Sequence, residues 1–550
     1  MRKLIALMAA AVCLPLASCS DGESSAHVYA APTVIASDGT AAELPISKLY
    51  AVSYDELDSA KLTKVCKAAG LSYTPENADG ICFGENVFGI GLASVVYFGK
   101  YAAALTDSEW QKLADIAASP ENYVPALTGG KAPDGISLQA MYASRIPENA
   151  YFDAMVEEIV SDMTAQNGCT RSEAFVQLYS EGVTVETPFS PSMQAAVDEV
   201  YAAPHSFTDG AGVFPQSACA VTDMSGNVIA LAAGNNGNRA YNRAYRTLHP
   251  IGSSIKPLSV YTPALIDGDI SFSSLVTDEP TINAGTPQAW PRNYNRIYDG
   301  DITVTYALRQ SKNTVAVRLA SMLGGDSCLR FMRENLGFTT LTDRDADISS
   351  ISLGYLERGV SMTELAAAYS VFGRQGTYSP PRFYTRVTDK DGNVLAECAP
   401  ETEQTVPSDA AWIMNRLLYY NISKDDGIAQ AARLSDGSEV IGKTGTVDND
   451  SGSDTDRLFV GLTPEYCAAV WIGYDSSGSV IDNTEYKLPA SIWKSAMERA
   501  DRSVYTFTPD ESVVTAEYCT VSGGLAGERC PHTETGYYRA GELPQECHIH

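Results

Sequence analysis

Strand-like sequence occurs in this chain in two blocks separated by a long helical stretch. The first block is Ala218-Cys-Ala-Val-Thr-Asp, the turn Met224-Ser-Gly-Asn, and Val228-Ile-Ala-Leu-Ala-Ala, which reads as a β-hairpin. The second holds Glu439-Val-Ile-Gly-Lys-Thr-Gly-Thr-Val, Arg457-Leu-Phe-Val-Gly-Leu and Cys467-Ala-Ala-Val-Trp-Ile-Gly. These read as consecutive antiparallel strands, with Thr463-Pro-Glu turning the last pair. Residues from about 256 to 375 between the blocks are mostly helical in pattern. A lone hairpin is at best marginally stable in water. The two blocks therefore belong to one sheet built from distant segments, an α/β (α+β) domain with helices over an antiparallel sheet.

Three short motifs are distributed over that domain in fixed order: Ser253-Ser-Ile-Lys256, Ser311-Lys-Asn313 and Lys443-Thr-Gly445. Each is weak alone, since Ser-x-x-Lys recurs at Ser491 to Lys494 and Ser-x-Asn at Ser225 to Asn227. The first recurrence sits in an amphipathic helix and the second in the hairpin turn, so both read as structural. Pro257 is harmless only near a helix start, where N–H groups have no intrahelical acceptor. That puts Ser253 at a helix N-terminus, where the dipole favours developing negative charge. Lys256 follows one turn later on the same face. A neutral lysine can take a serine proton, provided burial or a second cation such as Lys443 lowers its pKa. Ser311 is a candidate proton relay and Asn313 a candidate holder of a substrate amide. Thr444 and Thr446 offer hydroxyls to a carboxylate, and Gly445 lets a substrate backbone approach the strand. Together these point to serine acyl transfer.

The formal charge of −28 excludes a nucleic-acid partner. Arg2 and Lys3, the apolar run Leu4 to Leu14 and Leu16-Ala-Ser-Cys19 read as an export signal. Its apolar run is about half the ~20 residues that span a bilayer. Ten cysteines remain beyond Cys13 and Cys19; disulfides are then permitted, with Cys519 and Cys530 able to pair across a Gly-rich turn. No metal-ligand spacing is evident among the six histidines, so no metal and no cofactor are expected. Helical periodicity dominates 51–125, with Thr106 and Glu109 as a capping box, and returns over 151–167 and 192–202.

With these residues in view the chain resembles the class A penicillin-binding proteins, over roughly Phe207 to Ala500. Asn242-Arg-Ala, Pro291-Arg-Asn-Tyr, Ala307 to Leu319, Gly359-Val-Ser-Met-Thr-Glu-Leu and Phe459-Val-Gly-Leu-Thr-Pro extend the likeness beyond the three motifs. The resemblance implies a penicillin-binding-protein/serine β-lactamase fold and D-Ala-D-Ala transpeptidation of peptidoglycan stem peptides, inhibited by β-lactams. Ser253 would be the nucleophile, Lys256 the base and Ser311 and Asn313 the second motif. Lys443, Thr444 and Thr446 would bind the donor, and the N–H groups of Ser253 and Thr446 would form the oxyanion hole. Leu16 to Cys19 resembles a lipoprotein lipobox, implying lipidation of Cys19 and tethering to the extracytoplasmic face of the bacterial membrane. Gly89 to Pro125 is similar to the end of a glycosyltransferase domain, but the Glu-Asp-x-x-Phe-x-x-His-x-Gly and Gly-Gly-Ser-x-x-x-Gln-Gln signatures do not occur. No polymerase activity is then expected, and a separate glycan polymerase is implied as partner. His249-Pro-Ile-Gly departs from the family's pattern and is expected at the cleft entrance. The expected division is signal 1–19, tether 20–45, glycosyltransferase-like remnant 46–130, linker 131–205, transpeptidase domain 206–505 and a Cys-containing extension 506–550. A D,D-carboxypeptidase, a β-lactamase or a non-catalytic penicillin sensor or scaffold are the competing readings. The β-lactamase lacks its Glu-x-x-Leu-Asn, and a scaffold has no need of Lys256.

Overall fold

The computed structural model describes residues 31–44, 54, 57–120, 150–202, 215–234 and 242–550, apart from short interruptions within those spans. The export signal, Cys19, residues 20–30 and 45 of the proposed tether and all of 121–149 lie outside the described residues. Among the described residues no helix is long and apolar enough to cross a membrane.

The chain enters through strands β1 (Thr33–Ile35) and β2 (Ala41–Glu43). Residues 33–43 were expected in a polar tether, but they join a sheet. β1 lies parallel to β3 (Thr184–Glu186), with Val34 and Val185 paired and buried. Three-residue strands contributing one buried valine each carry too little alternation to be seen in sequence. Helices α1 (Ser59–Ala68), α2 (Ile90–Phe98) and α3 (Asp107–Ala118) follow. α3 starts with the expected reciprocal cap between Thr106 and Glu109. α4 (Ala150–Asn167) then leads to β3, and α5 (Pro191–Ala202) to the main domain.

The main sheet combines β4 (Gln216–Asp223) and β5 (Val228–Ala232) with β8 (Ile441–Asp448), β9 (Asp454–Leu462) and β10 (Tyr466–Gly473), in the order β8-β9-β10-β4-β5. All neighbours are antiparallel, and the two distant blocks meet where Val470 pairs with Cys219. One face packs on α8 (Met362–Ser370), through Leu365, Ala366 and Tyr369 against Leu458, Val460 and Trp471. The other packs on α5 and α9 (Leu488–Arg499), through Met193, Val197 and Trp493 against Phe459 and Val470. Trp493 is fully buried and donates its indole N–H to Gly461 O at 3.1 Å. Burial of such a side chain contributes about 1.5–3 kcal/mol. The mixed fold with a flanked antiparallel sheet is thus as expected from the strand blocks. β8 remains the edge strand.

The first sheet is more composite than the sequence suggests. Between β8 and the helical block, β6 (Arg386–Thr388) and β7 (Val394–Glu397) leave the main domain and extend that sheet to β7-β6-β3-β1-β2. Two more strands, β11 (Val513–Cys519) and β12 (Thr533–Arg539), form a C-terminal hairpin. Its Tyr518, Tyr537 and Tyr538 rings pack edge-on around Phe272.

Candidate active site

The 252–266 stretch is one continuous helical segment, but not a regular α-helix. It opens with a tight turn at Gly252–Ile255, widens over Pro257–Tyr261 and becomes α-helical at Thr262–Ile266. Pro263 has no N–H to offer the preceding turn. In the wide turn Thr262 donates both its N–H and its hydroxyl to Pro257 O. Ser253 is half-buried at the mouth of this segment, while Lys256 is wholly buried.

Helix α6 (Val304–Arg309) ends in a left-handed cap, and α7 (Asn313–Leu323) begins two residues later. Ser311 has φ 53°; its N–H reaches Leu308 O and the next N–H, of Lys312, reaches Ala307 O. That bonding pattern commonly selects glycine. Ser311 occupies the position instead, with its hydroxyl accepting a 2.8 Å hydrogen bond from Lys443 Nζ. Lys256 Nζ donates to Ser311 O at 2.8 Å and Asn313 Oδ1 at 2.6 Å, and lies 3.4 Å from Ser311 Oγ. The three motifs thus converge through Lys256, Ser311 and Lys443.

The two lysines are tuned by their surroundings. Burial, and then the nearby Lys443 charge, hold Lys256 well below the usual lysine range. Burial alone brings Lys443 down to about 7. A lysine so lowered is available as a neutral base near neutral pH.

Two residues act differently from the sequence-based expectation. The Asn313 amide was expected to hold substrate, yet both its ends are engaged within the protein: Oδ1 by Lys256 and Nδ2 by Arg292 O at 2.7 Å. Gly445 was expected to admit a substrate backbone, yet an added Cβ there would meet Ile251 O at 2.3 Å. A Cβ on Gly252 (φ 51°) would in turn meet Thr446 O at 2.2 Å. The glycines let β8 and the nucleophile turn touch backbone to backbone, bringing Ser253 beside Thr446. Strand alternation leaves Thr444 half-buried and Thr446 exposed.

His249, expected at the cleft entrance, is a core residue. Its ring stacks on Trp471 at 3.9 Å, and Nε2 lies 3.1 Å from Arg243 O. Ser225 to Asn227 form the hairpin turn, with Gly226 at φ 86°, and Lys494 pairs with Glu498 on α9; neither duplicate motif reaches the site.

Supporting residues went unrecognised in the sequence. Lys312 is buried and paired with Asp278 at 2.7 Å and Asp299 at 2.6 Å. Asn293 Oδ1 accepts the Asn313 N–H at 2.9 Å, capping α7 from outside, while its Nδ2 holds Asp278 Oδ1. Asn293 lies in the Pro291-Arg-Asn-Tyr stretch, which was noticed only for its likeness. The middle position of Ser-Lys-Asn carries no catalytic expectation, and Asp278 has no motif at all.

The geometry has a counterpart among known proteins. Residues 216–498 match the family model "Penicillin binding protein transpeptidase domain", and 509–548 match "Penicillin-binding protein 1A, C-terminal domain". The chain is a class A penicillin-binding protein. Penicillin-binding protein 1A of Clostridium botulinum (strain Langeland) is 29% identical over 530 residues, covering 85% of this chain and 63% of that protein. Penicillin-binding protein 1F of Bacillus subtilis is 27% identical over 468 residues, covering 78% of this chain and 62% of that one. The chain thus spans less than two thirds of these relatives. The crystal structure of penicillin-binding protein 1A from Haemophilus influenzae superimposes with a TM-score of 0.60 at 18% identity, covering 95% of this chain and 99% of that one. The PonA1 protein of Mycobacterium tuberculosis in complex with penicillin V gives 0.55 at 22%, covering 65% and 96%. The family model carries the family, and the two solved structures carry the fold.

A second constellation lies away from this cleft. Cys519, Cys530, Cys547 and His550 present ligand atoms all within 4.8 Å of one another. Every described cysteine is a free thiol, Cys519 and Cys530 included. No metal was expected from the sequence reading; these four side chains are a candidate ligand set to which it did not point. Cys519 and Cys530 lie at a strand end and in a turn, while Cys547 and His550 stand in a short Cys-x-x-His spacing that went unrecognised in the sequence.

Proposed function

We propose that this chain is a serine D,D-transpeptidase that cross-links peptidoglycan stem peptides and is acylated by β-lactams. The observation that carries it is the array of two buried lysines, Lys256 and Lys443, meeting at half-buried Ser311 one helical turn from Ser253. Neutral Lys256 takes the Ser253 hydroxyl proton as Oγ attacks the carbonyl of the penultimate D-alanine. The N–H groups of Ser253 and Thr446 receive the developing oxyanion. The proton passes through the Ser311 hydroxyl to the departing D-alanine amine, leaving an ester on Ser253. An acceptor amine then attacks that ester, and Lys256 takes the amine's proton before returning one to Ser253. Charged Lys443, with Thr444 and Thr446, holds the donor carboxylate. A donor peptide laid along the free edge of β8 gains main-chain hydrogen bonds, the usual logic of strand addition.

We read 46–130 as a region without glycosyltransferase activity, because neither signature of that activity occurs. A separate polymerase would supply the glycan, and Cys19 would carry a lipid tether outside the cell membrane. The direct test is labelling with a fluorescent penicillin. Wild type should label and hold the label for hours, and Ser253→Ala should not label. An unlabelled wild type overturns the reading, and rapid loss of label points to a β-lactamase. Incubation with stem pentapeptide and a labelled acceptor amine then separates cross-linking from simple release of D-alanine. Purified protein polymerising lipid II would refute the polymerase-free reading.

A further inference from the structure

We propose that Cys519, Cys530, Cys547 and His550 form a structural Zn²⁺ site that fastens residues 545–550 to the hairpin of β11 and β12. The proposal stands independently of the catalytic reading.

The distances fit a tetrahedral ion. With Zn–S about 2.3 Å and Zn–N about 2.0–2.1 Å, tetrahedral sulfur and nitrogen ligands stand roughly 3.5–3.6 Å apart. His550 Nδ1 lies 3.4 Å from Cys519 Sγ and 3.6 Å from Cys547 Sγ. A disulfide requires two sulfurs and leaves the rest without purpose. Here three sulfurs and one imidazole nitrogen converge on a single point, the Cys₃His set of closed structural zinc sites. Among the described residues, the other cysteines, such as buried Cys66, Cys219, Cys328 and Cys467, are not part of any such group.

The surrounding backbone is arranged around the sulfurs. Gly527 N–H donates to Cys530 Sγ at 3.3 Å. Such a contact orients its ligand and offsets thiolate charge. The segment bearing the last two ligands is already stitched on, by Leu525 N–H to Gln545 O and Cys547 N–H to Leu525 O, both 2.8 Å. Gly524 permits that approach, since a Cβ there would meet Gln545 O at 2.6 Å. Gly523 (φ 69°) likewise lets the turn sit on Ser273, whose hydroxyl donates to Gly523 O at 2.6 Å.

The chemistry is a ligand exchange with no redox step. Zn²⁺ displaces the protons of three thiols and accepts the lone pair of His550 Nδ1, and those protons go to solvent.

The full chain, purified reduced and without chelator, should contain one zinc per molecule by elemental mass spectrometry. His550→Ala, at an exposed side chain, cannot compromise the core. It should weaken zinc retention at least about tenfold in competition with a chromophoric chelator, as losing one of four ligands implies. Cys328→Ser, elsewhere in the core, should retain one zinc. Co²⁺-substituted wild type should show sulfur-to-cobalt charge transfer and intense tetrahedral d–d bands, both lost in Cys519→Ser. The proposal is overturned if the reduced protein holds no stoichiometric zinc. It is equally overturned if protein taken from an exporting host lacks two hydrogens and yields a peptide linking Cys519 to Cys530 or Cys547.

Discussion

At Ser311 the requirements of chemistry and of folding are opposed. A left-handed cap costs a non-glycine residue about 1–2 kcal/mol, and Ser311 accepts that cost at φ 53° while receiving the Lys443 hydrogen bond. Ser311→Gly should therefore raise stability by about 1 kcal/mol, read by thermal or urea unfolding. It should also slow penicillin acylation by about 10²–10⁴-fold, the range for losing a proton-transfer partner. A variant neither more stable nor slower would remove Ser311 from the relay. The lysine pair fixes the pH dependence. In the proposed mechanism acylation needs neutral Lys256 and charged Lys443, and burial brings Lys443 down to about 7. The acylation rate should rise with pH as Lys256 deprotonates and fall above about 7 as Lys443 discharges, the two limbs belonging to the coupled pair. A rate that climbs steadily through pH about 9 would mean that Lys443 acts uncharged.

Among elements, the decisive contact is between edge strand β8 and the turn that carries Ser253. It works because Gly252 and Gly445 bring two backbones together, where a Cβ would lie 2.2–2.3 Å from a carbonyl oxygen. Gly445→Ala should destabilise the domain by about 1–3 kcal/mol, the usual cost of overpacking. It should lower acylation even where the protein remains folded, as circular dichroism and labelling of one sample will tell. The α6–α7 junction is held by Lys312 between Asp278 and Asp299. Lys312→Ala leaves Asp278, fully buried, without its cation, a loss of about 3–5 kcal/mol. The motif residues and the strands that bear them were legible in the sequence, because chemistry restricts their types and alternation marks their faces. The struts were not. Asp278, Asn293 and Lys312 meet only through tertiary folding, and the glycines' purpose depends on a contact between segments nearly two hundred residues apart (252 to 445).

Across the whole molecule, what escaped the sequence is whatever the chain assembles from far-apart pieces. The first sheet takes strands from 33–43, 184–186 and 386–397, each too short to show a period of its own. The cysteine cluster draws on 519, 530, 547 and 550. The same interlocking ties the amino-terminal region to the transpeptidase domain through α4. Glu158 on α4 accepts the Phe383 N–H at 2.6 Å, and Asp162 accepts the Tyr384 hydroxyl at 2.7 Å. Burial, which outweighs that backbone hydrogen bond, raises Glu158 to about 8. In the folded chain the carboxyl thus keeps its proton to about pH 8, while an unfolded glutamate loses it near 4.3. Between those values the native state binds more protons, so stability falls as pH rises and the decline ends above about 8. Each unit of that window corresponds to about 1.4 kcal/mol. Glu158→Gln keeps an acceptor oxygen and never ionises. Wild type and variant should unfold alike at pH about 4, while at pH about 8.5 the variant should be the more stable by at least about 1 kcal/mol. Urea unfolding of the full chain at both pH values measures this difference. Parallel decline of the two proteins would mean that Glu158 is ionised in the fold, and that α4 meets the transpeptidase domain through a charged contact.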